Sequence, residues 1–556
     1  MDSQKIYEIT FVGQDYQPIE DAVRPDRVIV KNENIEYVID ADGNILPKDD
    51  EHKQSDCEVC KRILLKMLTE IAPNGKCNKD MLIINSSLKS KNKLYDLNFK
   101  NAEKQGYFCG IVGVIRKQVT ISLNDLKNEE NEMEKIIFNV TLQIKSRLDV
   151  DEHNRIGKPY FLSTMLLRDK LELSDNMIPN NEDEIFDYLL LFWFKEQLQK
   201  ACLKGYYKSY RRFEKNDDKI KGAINIAEHI KLNMGQKNGR IAYSYRENTI
   251  NNYLNQLIVA AYYHLKTKYR DLVLDNFDNN IDLKNAIMFL SSETGFSGAR
   301  SNFLLNKNVK QISHPFFTEY EQLRIICLRI LRDEGISIFD GESEKETQGI
   351  LFYLPELWEI FLEDEVIRKG LSKEITCKTQ FEVKNFGYKQ DDTEKYIFKQ
   401  KTYPDYVFLC DNCPFMILDA KCKPKWEKIF KESSISGIET GMGDYNKCIR
   451  DMVATNSHAT GVIFPTNIEV TDGDIKNNLK HPISEYNETD FFYTIPIQIP
   501  KVKENDTYTE WSEGFYHNIK SGIEIVKDVV LKENEFAKKS REIYESIKKF
   551  RRNLSL

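Results

Sequence analysis

The sequence predicts a multi-domain α/β protein with a mixed N-terminal module, a mainly helical middle region and a C-terminal domain of alternating strands and helices. Three observations support this prediction. The 556 residues are enough for roughly three or four domains. Helical patterns dominate from 185 to 335, and strand patterns alternate with helical ones after residue 350. We therefore divide the chain into residues 1–104, 105–335 and 336–556.

The N-terminal half shows clear periodicities. Residues 58–72 have the pattern of an amphipathic helix, with apolar side chains at helical spacing: Val59, Ile63, Leu64, Met67, Leu68 and Ile71. Residues 108–123 and 136–148 have the pattern of strands. Further helices are predicted at 185–203, 249–268, 317–333 and, near the end of the sequence, 519–552. The role of residues 1–104 stays open.

The composition is that of an ordinary globular protein, since 41% of the residues are hydrophobic and 30% are charged. No stretch approaches about 18 consecutive apolar residues, and the first residues lack a secretory signal, so we expect a cytoplasmic protein without membrane segments. The 11 scattered cysteines argue against a disulfide framework. The pairs Cys57-x-x-Cys60 and Cys410-x-x-Cys413 leave zinc binding open, although the second pair fits a tight turn more simply.

The net charge of −7 gives no support for nucleic-acid binding, because proteins that neutralise phosphates are usually basic. The charge is unevenly distributed, however. Residues 195–221 hold nine Lys or Arg against four Asp or Glu, and residues 421–431 hold five Lys against one Glu. Such patches fit a DNA-binding subunit that gains much of its affinity from a partner. Solvated helix faces are the alternative.

A predicted hairpin carries the candidate chemistry. Two apolar runs flank a turn-forming cluster at 411–414. We expect Cys410 to face Phe415, which places Asp405 beside Asp419 on the facing strand. Two carboxylates therefore converge at the end of an otherwise apolar hairpin.

Strand alternation puts Asp419, Lys421 and Lys423 on one face of the second strand. Adjacent, partly buried carboxylates repel each other, and a divalent metal removes this cost. Mg²⁺ (or Mn²⁺) prefers carboxylate oxygens and keeps waters, one of which can attack a phosphate. Lys421 can position or deprotonate that water, or stabilise charge on the phosphate. These are the requirements of phosphodiester hydrolysis, although an edge-strand salt bridge would use the same residues.

Pro404-Asp405, followed after 13 residues by Asp419-Ala420-Lys421, resembles the PD-(D/E)xK nuclease signature. The resemblance implies a C-terminal restriction-endonuclease-like domain that hydrolyses DNA. It assigns the two aspartates to metal binding and the lysine to catalysis, on a strand-turn-strand unit such as the one predicted here.

Two further positions extend the implied site. The nuclease family tends to carry an acidic residue on a helix before the hairpin, and Glu359 stands there as a further catalytic residue and metal ligand. A solvent-facing helix position is the alternative. The related pattern often has Gln where Lys447 stands, and we interpret Lys447 and Lys423 as candidate DNA contacts.

Three segments resemble the McrC family, in particular its LlaJI-like branch. They are Ser146-Arg147-Leu148-Asp149 with Tyr160-Phe161-Leu162, then KGAINIAEHI at 221–230, and IAYSYRE at 241–247 continuing through Asn251, Asn252 and Leu254. With the hairpin, the resemblance covers residues 105–460. The second segment departs from the family at Asn225, where Asp is more usual.

The McrC resemblance implies the endonuclease subunit of a GTP-dependent restriction system, which defends the bacterial cytoplasm against phage. An McrB-like AAA+ GTPase ring would be its partner and would usually recognise the double-stranded DNA, while residues 105–335 dock on that ring. The chain has no G-x-x-x-x-G-K-[ST] loop, so GTP would act only through the partner. Because one site cuts one strand, we expect two nuclease domains to dimerise on DNA.

Arg246 and Arg147 are candidate contacts to the partner, and structural ion pairs are the alternative for both. We favour Arg246, because it precedes a helix predicted to begin near Thr249. Two other functions stay open. One is a non-catalytic adaptor that activates a partner GTPase, and the other is a PD-(D/E)xK nuclease of DNA repair.

Overall fold

The computed structural model describes these residues: 6–22, 25–30, 37–39, 45–47, 58–72, 82–83, 95–96, 107–122, 135–167, 182–235, 239–295, 301–312, 314–331, 348–371, 375–389, 396–432, 435–503 and 506–554. They group into two compact units. The first comprises Met1–Leu166 and Ser343–Leu556, and the second comprises Leu167–Glu342. The molecule is a multi-domain α/β protein with several separate sheets, as predicted. The division into residues 1–104, 105–335 and 336–556 stays a prediction.

The strands in the described ranges, in chain order, are β1 (Ile6–Gln14), β2 (Pro25–Val30), β3 (Tyr37–Ile39), β4 (Ile45–Pro47), β5 (Leu82–Ile83), β6 (Tyr95–Asp96), β7 (Tyr107–Phe108), β8 (Ile111–Ser122), β9 (Lys135–Lys145), β10 (Ser209–Asp217), β11 (Ala223–Ile224), β12 (Ile241–Thr249), β13 (Gln348–Tyr353), β14 (Thr376–Thr379), β15 (Val383–Lys389), β16 (Tyr396–Thr402), β17 (Tyr406–Cys410), β18 (Cys413–Ala420), β19 (Ala459–Thr466), β20 (Lys480–Ser484) and β21 (Asn487–Gln498).

The α-helices are α1 (Glu58–Ile71), α2 (Tyr160–Leu167), α3 (Glu182–Leu203), α4 (Ile226–Asn233), α5 (Tyr253–Lys268), α6 (Arg270–Val273), α7 (Ile281–Thr294), α8 (Ser301–Lys307), α9 (Thr318–Leu331), α10 (Leu354–Leu362), α11 (Lys425–Glu432), α12 (Ile435–Thr455), α13 (Asp472–Asn478) and α14 (Tyr508–Leu554). A short 3₁₀ helix spans Ile19–Ala22, and π-helical segments span Leu274–Asp278 and Glu363–Leu371. None of the helices in the described ranges combines the length and apolar character that crossing a bilayer requires.

The first unit begins with a six-stranded sheet of order β2-β1-β9-β8-β13-β5. β1 pairs in parallel with β9, whereas β8 pairs antiparallel with both β9 and β13. α1 packs on β8, and every apolar residue that predicted this helix is at most 5% exposed. The sequence pattern therefore predicted α1 and the two long strands β8 and β9 of this sheet.

The same unit contains a second six-stranded sheet, of order β14-β17-β18-β19-β21-β20. β18, β19 and β21 run parallel, and the outer strands pair antiparallel. All residues of β19 are buried, as expected for a central parallel strand with both faces covered. α10, α12 and α14 pack against strands of this sheet. The alternation of strands and helices predicted after residue 350 is thus present.

The hairpin turn differs from the prediction by its length. Cys410 pairs with Cys413 rather than with Phe415. The reason is that Asp411 and Asn412 form the turn alone, with φ angles of 49° and 65°, which suit a two-residue type I′ turn. A bulge further along the hairpin shifts the register back by one residue. The open end of the hairpin therefore keeps the two aspartates side by side.

The second unit combines a three-stranded sheet of order β10-β12-β11 with several helices, of which α4 packs on β12. The predicted middle region was mainly helical, and these strands were not anticipated. Aromatic and charged side chains alternate in them with few aliphatic residues, so the usual signal of a buried strand is weak. α5 begins at Tyr253 rather than near Thr249, because the side chain of Asn252 caps it by accepting the N–H of Asn255 at 3.0 Å.

The second and third segments used for the family resemblance contact each other in this unit. Ala223 of β11 lies opposite Ser244 of β12. Gly222 precedes this pair with a φ of 138°, and a Cβ there would lie 2.5 Å from the carbonyl oxygen of Ser244. Asn225 then caps α4 by accepting the N–H of Glu228 at 3.2 Å. The departure from the more usual Asp thus preserves the oxygen acceptor that the cap needs.

Candidate active site

The open end of the β17–β18 hairpin brings Asp405 and Asp419 together. Asp405 directly precedes β17, and Asp419 is the penultimate residue of β18. Both side chains are buried, with 10% and 3% of their surface exposed. The backbone N–H of Ala420 donates to Oδ2 of Asp405 at 2.8 Å, so the main chain of one strand fixes the carboxylate of the other. The hairpin that the sequence predicted therefore places both acids at one point.

Two lysines neutralise Asp419. Lys421 donates to Oδ2 of Asp419 and, at 3.2 Å, to the carbonyl oxygen of Ala420. Lys447, which comes from α12, donates to both oxygens of Asp419 at 2.9 and 3.1 Å. Its ammonium nitrogen also lies 3.9 Å from Oδ1 of Asp405. One cation is therefore shared between the two aspartates.

The ionisation of this group follows from these contacts. Burial alone would raise the pKa of Asp419, but Lys421 and Lys447 hold it below its usual value. Burial alone would lower the pKa of Lys421, but Asp419 and Asp405 raise it. The pKa of Lys447 is raised too, because Asp419 outweighs burial. Both lysines therefore stay protonated at neutral pH.

Asp405 and Glu359 behave in the opposite way. Burial, followed by the negative charge of Asp419, raises the pKa of Asp405 well above its usual value. The same two causes raise the pKa of Glu359. Glu359 is half-buried on α10 rather than solvent-facing, and it lies within electrostatic range of both aspartates. The three carboxyls that the sequence singled out thus share one electrostatic environment.

Gln380 belongs to this site and was missed in the sequence. Its side-chain amide donates to Oε1 of Glu359 at 2.8 Å, and its backbone N–H points at the carbonyl oxygen of Asp405 at 3.4 Å. Its φ of 51° lies in the left-handed region, which is uncommon for a residue other than glycine. No motif marks this position, so only the folded chain identifies it.

Lys423 does not join Asp419 as strand alternation predicted. β18 ends at Ala420, so the alternation of faces does not extend to Lys423. Its ammonium group instead donates to both oxygens of Asp444 at 2.9 Å, and Lys425 pairs with the same carboxylate at 2.8 Å. DNA contact by Lys423 and Lys447 stays a prediction.

Arg147 is buried within the first unit and pairs there, as the structural alternative expects, and its contact with the partner stays a prediction. Its side chain is 11% exposed and pairs with Glu427, while Nη2 donates to the carbonyl oxygen of Cys422 at 2.9 Å. The backbone N–H of Arg147 donates to the buried carboxylate of Asp15. Burial raises the pKa of Asp15 to about 6, although Arg147 opposes this shift. The guanidinium is thus occupied inside the first unit.

Asp149, which belongs to the same family-like segment as Arg147, also makes structural contacts. The carboxylate of Asp149 accepts the N–H groups of Phe161 and Leu162 at 2.6 and 3.1 Å, at the start of α2. This contact joins the two halves of the first family-like segment. Arg246, by contrast, is exposed on β12 of the second unit, opposite Arg212 of β10.

The fit of a divalent metal can be judged from the donor atoms. In the described part of the chain, no group of three or more His, Cys, Asp or Glu side chains is arranged to hold a metal. The donors around Asp405 and Asp419 are nevertheless all oxygens, which Mg²⁺ and Mn²⁺ prefer, and a cationic ammonium group already lies between the two carboxylates. Lys421 and Lys447 already donate to the oxygens of Asp419, so an ion could bind there only in place of an ammonium group, and metal binding stays a prediction. Of the first Cys pair, Cys57 lies outside the described residues.

More than half of the chain matches one known protein family. Residues 127–437 match the family described as "McrBC 5-methylcytosine restriction system component". None of the curated proteins matches the chain. Among solved structures, it is similar to a refined half-complex from a tetradecameric assembly of McrB AAA+ hexamers with bound McrC from Thermococcus gammatolerans. That likeness has 14% identity and a TM-score of 0.40, and it covers 92% of this chain and 100% of the other.

A second solved structure, the Thermococcus gammatolerans McrBC complex, has 12% identity and a TM-score of 0.24. It covers 65% of this chain and 87% of the other.

Proposed function

This chain belongs to the family of McrBC 5-methylcytosine restriction system components, and from that premise we propose that it is the subunit that cleaves DNA. The observation that carries the proposal is the meeting of Asp405 and Asp419 around one cation, with Lys421 beside them. Two neighbouring buried carboxylates destabilise the fold unless a cation neutralises them.

We assign metal binding to Asp405 and Asp419, with Glu359 as a third ligand on the neighbouring helix. A bound Mg²⁺ or Mn²⁺ would polarise a phosphate oxygen and lower the pKa of a bound water. Carboxylates bind metal in their ionised form, and the pKa values of Asp405 and Glu359 are raised in the metal-free site, so metal binding would lower both pKa values.

Lys421 acts as a cation in this proposal. Its raised pKa argues against its serving as a base at neutral pH. The charged ammonium group stabilises the negative charge that builds on the phosphate during attack, or orients the attacking water. The resulting reaction is phosphodiester hydrolysis of DNA within a PD-(D/E)xK-like domain.

We further propose that the second unit docks on an McrB-like AAA+ GTPase ring, so that GTP acts only through the partner. Apolar side chains 44–80% exposed cluster in sequence around α4: Ile220, Ile224, Ile226, Ile230, Leu232 and Met234. Exposed apolar patches of this kind mark interaction surfaces more often than free surface. Arg246 stays a candidate contact.

The test of the nuclease assignment is plasmid cleavage with Mg²⁺, GTP and an McrB-like GTPase from the same genome. Asp405→Asn keeps the shape of the residue and can still accept the Ala420 N–H, so we expect a folded chain that no longer cuts. Asp411→Asn, in the exposed turn of the same hairpin, is the matched control and should cut like wild type. Equal cleavage by Asp405→Asn would favour the adaptor function instead.

The docking assignment has its own test. Ile226→Asp and Met234→Asp should weaken co-purification with the GTPase, because a charge would replace an apolar contact. Met288→Asp on α7 is the control, since Met288 is 61% exposed on another helix of the same unit. Cleavage that persists without any GTPase would instead favour a repair nuclease.

A further inference from the structure

A cleft of about 360 Å³ opens in the second unit, between β10, the start of α5 and the segment after α8. Four of its lining residues are cationic, namely Arg211, Arg212, Lys307 and Lys310. Its lining contains no acidic residue in the described structure. Its volume is in the range of small-ligand sites. The cleft is therefore a concentration of positive charge on a chain whose net charge is −7.

Arg211 is held in place by neutral groups. Its Nη1 donates to the carbonyl oxygen and to Oδ1 of Asn251, at 3.1 and 2.7 Å. Its guanidinium lies over the rings of Tyr253 and Phe213, at 4.9 and 5.3 Å from their centroids. These contacts orient the guanidinium without neutralising its charge.

The other cations add to this charge. Lys307 lies over the ring of Tyr253 from a distance of 5.8 Å, so two cations share one aromatic ring. Arg212 forms a 3.4 Å pair with Glu214, but both side chains are more than half exposed, so water screens the pair. Arg246 lies directly opposite Arg212 in the β10–β12 ladder. Like charges in that position destabilise a sheet unless an anion offsets them.

The start of α5 completes the cleft. Asn252, Tyr253 and Leu254 line it, and they form the cap and first turn of this 16-residue helix. The helix dipole adds partial positive charge at this end. Tyr210, whose side chain is 76% exposed, offers an aromatic face at the rim. Cations with interleaved aromatic rings are the combination that binds nucleotide units, through the phosphate and the base respectively.

We infer that this cleft binds a nucleotide unit, with its phosphate on Arg211, Arg212, Lys307 and Lys310 and its base against Tyr210. The inference deepens the proposed function and rests on it in one respect: a DNA strand is the source of nucleotide units that a nuclease subunit meets. A free nucleotide presents the same chemistry, and the experiment separates the two sources.

The experiment measures binding of the full chain to a fluorescein-labelled single-stranded oligonucleotide by anisotropy, in EDTA so that no cleavage occurs. The test variant is the double reversal Arg212→Glu/Lys310→Glu, at two exposed positions of the lining. The control is Lys215→Glu/Lys284→Glu, with the same charge change at exposed positions outside the cleft. Circular dichroism confirms that both variants are folded.

We expect the test variant to raise the Kd at least about tenfold and to reduce the salt slope of binding by about 1.4, since each lost contact to a single strand contributes about 0.7. The control should keep both values within about twofold of wild type. Equal binding by the two double variants overturns the inference. Competition by dGMP that is lost in the test variant assigns the site to free nucleotides as well, whereas failure of dGMP to compete assigns it to the strand.

This readout is independent of the nuclease site. If Asp405→Asn still cleaves DNA while the cleft variant loses oligonucleotide binding, the nuclease assignment fails and the nucleotide cleft stands. If Asp405→Asn is inactive while the cleft variant binds like wild type, the nuclease assignment stands and the cleft does not bind DNA.

Discussion

Lys447 donates to both carboxylate oxygens of Asp419, at 2.9 and 3.1 Å, and thereby occupies the space that Asp419 shares with Asp405. The related nuclease pattern often has a neutral Gln at this position. A permanent ammonium group there competes with any divalent cation for the same oxygens. The metal requirement that we propose for this chain is therefore expected to depend on Lys447.

We predict that Lys447→Gln lowers the Mg²⁺ concentration needed for half-maximal cleavage by about threefold to tenfold, because an amide bonds to Asp419 without neutralising it. The measurement is a Mg²⁺ titration of plasmid cleavage. Lys423→Gln serves as the control, since Lys423 pairs with Asp444 instead. A midpoint that is unchanged or higher in Lys447→Gln would show that the ammonium does not compete with the metal.

A second prediction concerns pH. Burial, and then Asp419, raises the pKa of Asp405 above its ordinary value of 3.8. Between these two pKa values the folded chain binds a proton that the unfolded chain has lost, so its stability falls as the pH rises through this window. Asp405→Asn has no such proton, so its melting temperature relative to that of wild type should rise as the pH increases above about 4.

Melting temperatures are compared by circular dichroism without divalent metal. Asp411→Asn is the control, because Asp411 is 84% exposed. The difference in melting temperature between this variant and wild type should not change with pH. A difference between Asp405→Asn and wild type that does not grow with pH contradicts a protonated Asp405.

A third prediction follows from the pairing of Asp419 with Lys421. Their side chains are 3% and 14% exposed, so Asp419→Asn leaves a buried ammonium without its carboxylate. We expect a loss of about 3–5 kcal/mol in the free energy of unfolding. Adding Lys421→Met to Asp419→Asn should recover part of this loss, because the double variant no longer buries the ammonium group of Lys421. Urea denaturation measures all three variants, and strictly additive losses would show that the two residues are not coupled.

The sequence predicted those parts of the molecule that rest on local patterns. α1 was predicted by its apolar spacing, and the hairpin was predicted because two apolar runs flank a turn cluster. The meeting of Asp405 and Asp419 then follows from antiparallel pairing alone. The exact turn did not follow, because a two-residue turn and a bulge together give nearly the same alignment as the longer turn.

The rest depends on contacts between distant segments. Gln380 reaches Glu359 only because β14 pairs with β17. No local sequence pattern predicts this strand pairing. Lys447 was noticed as a departure from a motif, but its bond to Asp419 depends on where α12 packs. Arg147 shows the same limit, because its partner Glu427 lies 280 residues away in the sequence.

The last prediction separates a structural role of Arg147 from a contact with the GTPase. Arg147→Met leaves Glu427 and Asp15 buried without the guanidinium, and Glu427 is only 12% exposed. We expect this change to cost about 3–5 kcal/mol of unfolding free energy. Arg155→Met is the control, because Arg155 is 69% exposed and pairs with Asp151, and it should cost at most about 1 kcal/mol.

The second readout for Arg147→Met is binding to the GTPase, measured with folded protein well below the melting temperature. A buried residue that holds the first unit together should lower stability and leave partner affinity within about twofold of wild type. A loss of affinity at unchanged stability would mean that Arg147 reaches the partner after all, and that its pairing with Glu427 opens when the complex forms.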